Sequence, residues 1–421
     1  MISGKNVILC FLIAVISIFL FFWGKLNGFY FLHTVLNQYK ASEYAWKLVH
    51  KTKSVKGTYD VKVLSWNKGP KVHNWSYCDG LMMKALLRMG YTNFVDEFYN
   101  DNINDDGSVN NTRNFRNIYV KGAVDDVAPA STLFDILKSK ISDKYKNNLD
   151  KVYGELSKQP VLDMVGGNYY HKINNRAWIN YPFALDGLYM ALPFELRYKK
   201  MMFPNDIASH YNVIFDRFDW VSKHLKNKNG LYNHGCKSDG QTMNGVVWSR
   251  GAGWYAMAQV DIIELFPEGS QKEILKTQLK DFFDGMIAYQ DANTGLWKNV
   301  IYPEDNVSGC NKLETSGTSM MAYALMKAYT NNFVNDDKYA YAGLKAFNGV
   351  ADNKLESEGF FDYSLNDIYK MAIVNDYPHT YNNCSYYVKD DPKGSAPFIL
   401  ASSYVSETVS KLLKSELKKL F

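Results

Sequence analysis

The sequence has no low-complexity stretch, no CxxC pair, no convincing run of strands and no clustered basic face, and each absence removes a class of answer. With 421 residues, 47% hydrophobic and 15% aromatic, the chain has material for a large core, and disorder is excluded as the default. Its 48 basic and 43 acidic residues leave a formal charge of +5. They are dispersed except for the lysines of the C-terminal KLLKSELKKLF, so there is no nucleic-acid footprint. The cysteines Cys10, Cys78, Cys236, Cys310 and Cys384 lie far apart. They show no spacing, to one another or to histidine, that suggests a metal site, and their separations favour no disulfide connectivity.

Long apolar runs are also scarce, with one exception. Val7 to Trp23, VILCFLIAVISIFLFFW, carries no charge, is flanked by Lys5 and Lys25, and is about long enough to cross a bilayer. A cleavable signal peptide has a shorter apolar region and ends on small residues, and neither feature is present here. The reading is a transmembrane helix within residues 1–28, acting as membrane anchor or uncleaved signal segment, with the membrane as a partner. Residues 29–421 then form one exported domain, since Lys5 favours a cytoplasmic N terminus. Secretion is the alternative.

Beyond Phe29 the chain alternates between two kinds of helical pattern. YCDGLMMKALLRMG (Tyr77 to Gly90), Asp125 to Lys140, LDGLYMALPFELRYKKM, Ser249 to Pro267, Glu314 to Tyr329 and the C-terminal GSAPFILASSYVSETVSKLLKSEL are apolar nearly all round. The segments paired with them, beginning with Phe29 to Lys51, are amphipathic. Helices apolar on every side are buried ones, and amphipathic helices cover them. Six such pairs with neither end capped predict an all-α fold, an (α/α)6 barrel closed by its first and last helices. The inner helices of such a toroid all open on one face. Polar groups at their entrances therefore converge on one cleft: Asp79, Asp125, Asp126, His171, Asp186, His234, Arg250 and Glu314, with Trp178, Trp248 and Trp254 nearby. Carboxylates, imidazoles and a guanidinium among aromatic faces suit acid–base chemistry on a carbohydrate. The competing reading is a set of independent helix caps, Asp186 included.

NYYHK, ALDGLYMALPF, LYNHG, WSRGAGWYAMAQVDIIELFP, QDANTGLW and ETSGTSMMAYALMKAY resemble, in this order, the unsaturated uronyl hydrolases, that is, the unsaturated glucuronyl and rhamnogalacturonyl hydrolases. The resemblance runs from about Ser65 to the C terminus and implies an (α/α)6 barrel. It implies that Asp186 is the general acid and base, and that Asp125, or else its neighbour Asp126, is a second essential carboxylate. His171, His234, Arg250 and Trp254 then contact the unsaturated uronate; Asp79 and Trp178 are placed in the same substrate-binding group by their position at the helix entrances and the loops before them. The implied substrate is an oligosaccharide left by a polysaccharide lyase, with a 4,5-unsaturated uronic acid at its non-reducing end. The implied reaction is hydration of the C4=C5 bond, with neither metal nor organic cofactor. Asp186 must hold a proton for this, and burial is expected to raise its pKa.

The sequence departs from the family pattern at Cys236, where an aromatic residue is usual, at Ala252, where Asn is common, and in a longer loop between His171 and Asp186. These positions surround the sugar subsites and leave substrate identity open. Two other functions remain at this stage. One is an ordinary two-carboxylate glycosidase on the same barrel, and the other a catalytically inactive, membrane-tethered glycan-binding protein.

Overall fold

The computed structural model describes residues 27–51, 75–109, 123–172, 182–242, 245–302, 310–359, 362–370, 381 and 383–419. Its helices, in order, are α1 (Asn27–Lys51), α2 (Tyr77–Arg88), α3 (Thr92–Asn102), α4 (Leu133–Ile136), α5 (Asp143–Leu156), α6 (Asp186–Met202), α7 (Ile207–His224), α8 (Ser249–Leu265), α9 (Ser270–Ile287), α10 (Thr315–Thr330), α11 (Asp337–Asn353) and α12 (Pro392–Lys418). The helix expected over Asp125 to Lys140 is instead two 3-10 turns, Val124–Asp126 and Ala128–Thr132, followed by the single turn of α4. Pro129 accounts for this, because it has no N–H to return to the carbonyl of Asp125 and its ring would strike that carbonyl.

Going round the inner layer, α2, the Ala128–Thr132 turn, α6, α8, α10 and α12 each contact the next, and α12 returns to α2. The amphipathic helices lie outside: α3 on α2, α5 and α7 on α6, α9 on α8, and α11 on α10. The first helix, α1, lies against α11 and α12 and so covers the junction where the chain closes on itself. This arrangement fits an (α/α)6 barrel. The inner layer is as dry as its composition demands. Every residue from Ser249 to Ile263 of α8 and from Thr315 to Tyr329 of α10 is buried.

One expectation is corrected. Among the described residues no helix is long and apolar enough to cross a membrane, so the single-pass placement and the membrane partner are withdrawn. The run Val7 to Trp23 on which they were based lies outside the described residues.

The helix entrances carry a feature that the apolar periodicity does not reveal. Two- and three-residue strands form antiparallel pairs around the mouth: β3 (Phe183–Ala184) with β4 (Gly235–Cys236), β5 (Val247–Trp248) with β7 (Val300–Tyr302), and β6 (Trp297–Lys298) with β8 (Leu313–Glu314). The earlier pair β1 (Val161–Leu162) and β2 (Asn168–Tyr169) leads into the same rim. Strands β3, β5 and β8 run directly or nearly directly into α6, α8 and α10. The backbone therefore fixes where each inner helix begins, and with it the side chains of its first turn.

Candidate active site

Asp186 is the first residue of α6. The residue before it, Leu185, makes no side-chain capping bond, and an Asp186 oxygen is engaged elsewhere. Its Oδ2 lies 2.8 Å from Nε2 of His234. The rim pairs hold the two residues together: Ala184 sits opposite Gly235, the Leu185 N–H donates to the His234 carbonyl at 2.9 Å, and the His234 N–H donates to Val246 at 2.9 Å. Two glycines make room. A Cβ on Gly235 would come within 2.3 Å of the Phe183 carbonyl oxygen, and one on Gly251, at the start of α8, within 2.8 Å of Cδ2 of His234. A side chain at Gly235 would force β4 off β3, and one at Gly251 would push the imidazole away from the carboxylate.

His234 and Asp186 are almost removed from solvent, with side-chain exposures of 1% and 15%. Burial acts to raise the Asp186 carboxyl. The charge and hydrogen bond of His234, with smaller effects of His171 and Arg250, outweigh it and hold the carboxyl below its ordinary value. The expectation that burial would raise this group is therefore corrected, because the helix signals a dry site but not the imidazole standing in it.

Asp125 has a comparable setting. Its Oδ1 is 3.2 Å from His171 Nε2 and its Oδ2 2.7 Å from Lys172 Nζ. Burial again works to raise it, and Lys172 and His171 prevail, so the carboxyl lies well below the usual carboxylate range. Asp126 is partly exposed, and its carbonyl accepts from Trp75 Nε1 at 2.9 Å. Backbone bonds carry this cluster to the first: Val124 N–H donates to the His171 carbonyl at 3.1 Å and His171 N–H to the Pro182 carbonyl at 2.7 Å, one residue before β3. Lys172 also feels the charge of Asp186. The two carboxylates thus stand in one field.

Arg250, in the first turn of α8, is 2% exposed. It donates to Ser316 Oγ at 3.0 Å and to the carbonyls of Tyr369 and Lys370, and its guanidinium lies 4.3 Å from the ring centre of Trp248. No carboxylate pairs with it among the described residues. Its partners are placed by Glu314, which caps α10 through Gly317 N–H at 2.8 Å and also accepts from Ser316 Oγ at 2.7 Å and Tyr369 N–H at 2.9 Å. Trp254, one turn below Arg250, is buried against Tyr189, with centroids 4.9 Å apart, and against Tyr77 at 6.0 Å. These three rings, from α2, α6 and α8, form one aromatic cluster joining three inner helices.

The structure does not bring every expected residue to this group. Asp79 is fully buried and exchanges hydrogen bonds with Ser76, accepting from its hydroxyl at 2.5 Å while its own N–H donates back at 3.3 Å. Burial pushes its carboxyl up to about 7. Trp178 lies outside the described residues. Lys172, Tyr381 and Tyr77 were not among the sequence candidates. Lys172 is adjacent to His171 in the NYYHK motif and could have been taken with it, whereas nothing in the sequence points to Tyr381. Cys310 and Cys384 form a disulfide near Tyr381, and Cys78 and Cys236 are free and buried.

The sequence pattern that defines Glycosyl Hydrolase Family 88 matches residues 48–408. The chain belongs to glycoside hydrolase family 88. It is a glycosidase, which removes the inactive glycan-binding reading. Over 233 residues it is 27% identical to a 24.9 kDa protein in the picA locus of Rhizobium radiobacter, covering 50% of this chain and 96% of that protein. In fold it is similar to a family 105 glycoside hydrolase of C. acetobutylicum ATCC 824, with TM-score 0.72, 23% identity, and 87% of this chain and 98% of that one covered. It is also similar to the unsaturated glucuronyl hydrolase of Bacillus sp. GL1, described as responsible for degradation of glycosaminoglycan, with TM-score 0.56, 13% identity, and coverages of 87% and 96%. Family 88 membership agrees with the unsaturated uronyl hydrolase resemblance.

Proposed function

We propose that this enzyme removes a terminal 4,5-unsaturated uronic acid from lyase-generated oligosaccharides by hydrating the C4=C5 bond. The observation that carries the reading is the Asp186–His234 pair at a buried helix entrance, beside a cation, Arg250, whose described partners are all uncharged. A planar guanidinium held by carbonyls and a hydroxyl suits the uronate carboxylate, which it can meet through two parallel hydrogen bonds. Asp186 delivers a proton to C4. Water oxygen bonds to C5 and returns its proton to the Asp186–His234 pair, so the enzyme ends as it began. The product is a hemiketal at C5, which opens and releases the reducing-end sugar. Asp125, kept ionised by His171 and Lys172, completes the polar wall facing the sugar.

A pair in which Asp186 rests as a carboxylate can still act as an acid. The proton to be given sits on Nε2, one hydrogen bond from Oδ2, and crosses to Asp186 as the alkene approaches. The decisive experiment incubates the enzyme with lyase-generated oligosaccharides from pectin and from glycosaminoglycans and follows the ultraviolet absorbance of the double bond. Loss of absorbance together with release of the reducing-end sugar is expected. Cleavage of saturated chromogenic glycosides, with the absorbance untouched, would instead identify a two-carboxylate glycosidase.

Arg250→Lys tests the clamp. Lysine keeps the charge and loses the fork, so kcat/KM should fall by roughly 10–100-fold, mostly through KM, as expected for a lost hydrogen bond to a charged group. Steady-state kinetics with the uronate and with its carboxyl-reduced analogue check this. Wild type and variant should process the reduced analogue about equally, and a loss on that analogue as large as on the uronate would remove Arg250 from the role.

A further inference from the structure

His234 is held at both ring nitrogens. Nε2 faces Asp186, and Nδ1 lies 2.6 Å from the hydroxyl of Tyr381. Tyr381 and His234 are 0% and 1% exposed, so water does not compete along this line, and each group depends on its protein partner. The phenol is itself fixed. Asn299 Nδ2 donates to the Tyr381 carbonyl at 2.8 Å, Trp248 Nε1 donates to Asn299 Oδ1 at 2.9 Å, and the Trp248 ring lies 4.8 Å from His234 and 6.0 Å from Tyr381.

The chemistry of the three groups limits what the line can do. While Asp186 is a carboxylate, Nε2 must carry hydrogen. Nδ1 then either accepts from the phenol, with the imidazole neutral, or donates to it, with the imidazole charged. When the Nε2 proton crosses to Asp186, Nδ1 keeps its hydrogen and its bond to the phenol oxygen. Tyrosine serves all of these states because its hydroxyl both gives and accepts, and phenylalanine serves none.

We propose that Tyr381 is a positioning residue that keeps the transferable proton on the His234–Asp186 pair by accepting a hydrogen bond from Nδ1 in the loaded state. This rests on the assignment of Asp186 as the acid under the proposed function. During turnover the Asp186 O–H bond breaks as the C4–H bond forms, and the proton lost by the attacking water restores the pair, with Tyr381 undergoing no net change. The other titratable groups acting on the line are His171, Lys172 and Arg250, which bear on Asp186, and Tyr369, which bears on Tyr381. None of them stands between Nδ1 and the phenol.

The test is the pH dependence of kcat for the full chain and for Tyr381→Phe, with an unsaturated uronyl disaccharide as substrate. Phenylalanine removes the phenol bond from the neutral and the charged imidazole alike, but the bond to the charged ring is the stronger, so the loaded pair loses its proton more readily. The alkaline limb of kcat should move down by about one pH unit, with the acid-side plateau and KM changed less than about twofold. A purely structural tyrosine would lower kcat equally at every pH, and that result, or superimposed limbs, overturns the proposal. Nuclear magnetic resonance of 15N-imidazole groups in the wild-type protein gives a check that needs no variant. The Nδ1–H of His234 should be lost on titration in step with the alkaline limb, and an Nδ1 that never carries hydrogen in the active pH range contradicts the proposal. Asp186→Asn separates the two levels: if that variant keeps turnover, the acid assignment itself fails. If it is inactive while the Tyr381→Phe limb is unmoved, only the role of Tyr381 fails.

Discussion

Asp186→Asn should lower turnover by a factor on the order of 10²–10⁴, the usual contribution of a general acid, while the protein stays folded. Asparagine keeps the size of the side chain and can still accept from His234 Nε2, so the rim geometry holding β3 to β4 has no reason to change. It cannot deliver a proton. A helix cap would give the opposite result, since asparagine caps as well as aspartate. The structure already weakens that alternative, because the carboxylate oxygen is bonded to an imidazole and no side-chain cap is made at this end of α6. Decay of the double-bond absorbance under the purified variant, measured beside its melting curve, decides the matter. Near-wild-type decay in a folded variant excludes Asp186 from the mechanism.

The other large effect concerns ring closure. Deleting Gly394 to Phe421 should unfold the whole domain, not only its last helix. It removes nearly all of α12, the sixth inner element, including the buried Phe398, Ile399, Leu400, Tyr404, Val405, Val409, Leu412 and Leu413. At about 1.5–3 kcal/mol for each fully buried large apolar side chain, the loss is as large as or larger than the roughly 5–15 kcal/mol by which domains are stable. It also strips contacts from its ring neighbours α2 and α10, from the outer helix α11 and from the first helix. Phe398 stacks on Phe347 at 5.3 Å, Tyr404 meets Tyr323 edge-on at 5.4 Å, and Tyr44 and Gln38 of α1 bond Ser395 and the Ser402 carbonyl at 2.7 and 2.8 Å. Circular dichroism and thermal melting of the truncated chain check this. Native helicity with an unchanged midpoint would show that the ring does not depend on its last helix.

Much of this architecture was legible because buried and half-buried helices differ in pattern over many residues. Fifteen consecutive buried positions in α8 leave a signal that no short element can imitate. The second inner helix was misjudged because the apolar count over Asp125 to Lys140 hides the effect of one proline. The rim strands were invisible for a simpler reason, since alternation cannot be recognised in two residues. The site follows the same division. Asp186, His234 and Arg250 stand next to helix starts or in motifs that draw attention to themselves, while Tyr381 is 147 residues from its partner His234 and is joined to it only by the fold. The charge state of Asp186 was misread for that reason too. Burial is a local property of the helix, but the imidazole that overrides it comes from another hairpin.

Asp125, the Asp186–His234 pair, Arg250 and Tyr381 are contributed by segments spread round the whole toroid, and none of these segments holds the others in place by itself. Activity is therefore a property of the closed circle. A nick or a local melting that lets two neighbouring inner helices part by an ångström would disconnect the reacting groups before much helix is lost. In a denaturant titration, catalysis should vanish ahead of the circular dichroism signal, so that the enzyme's own turnover serves as a gauge of whether the circle is shut.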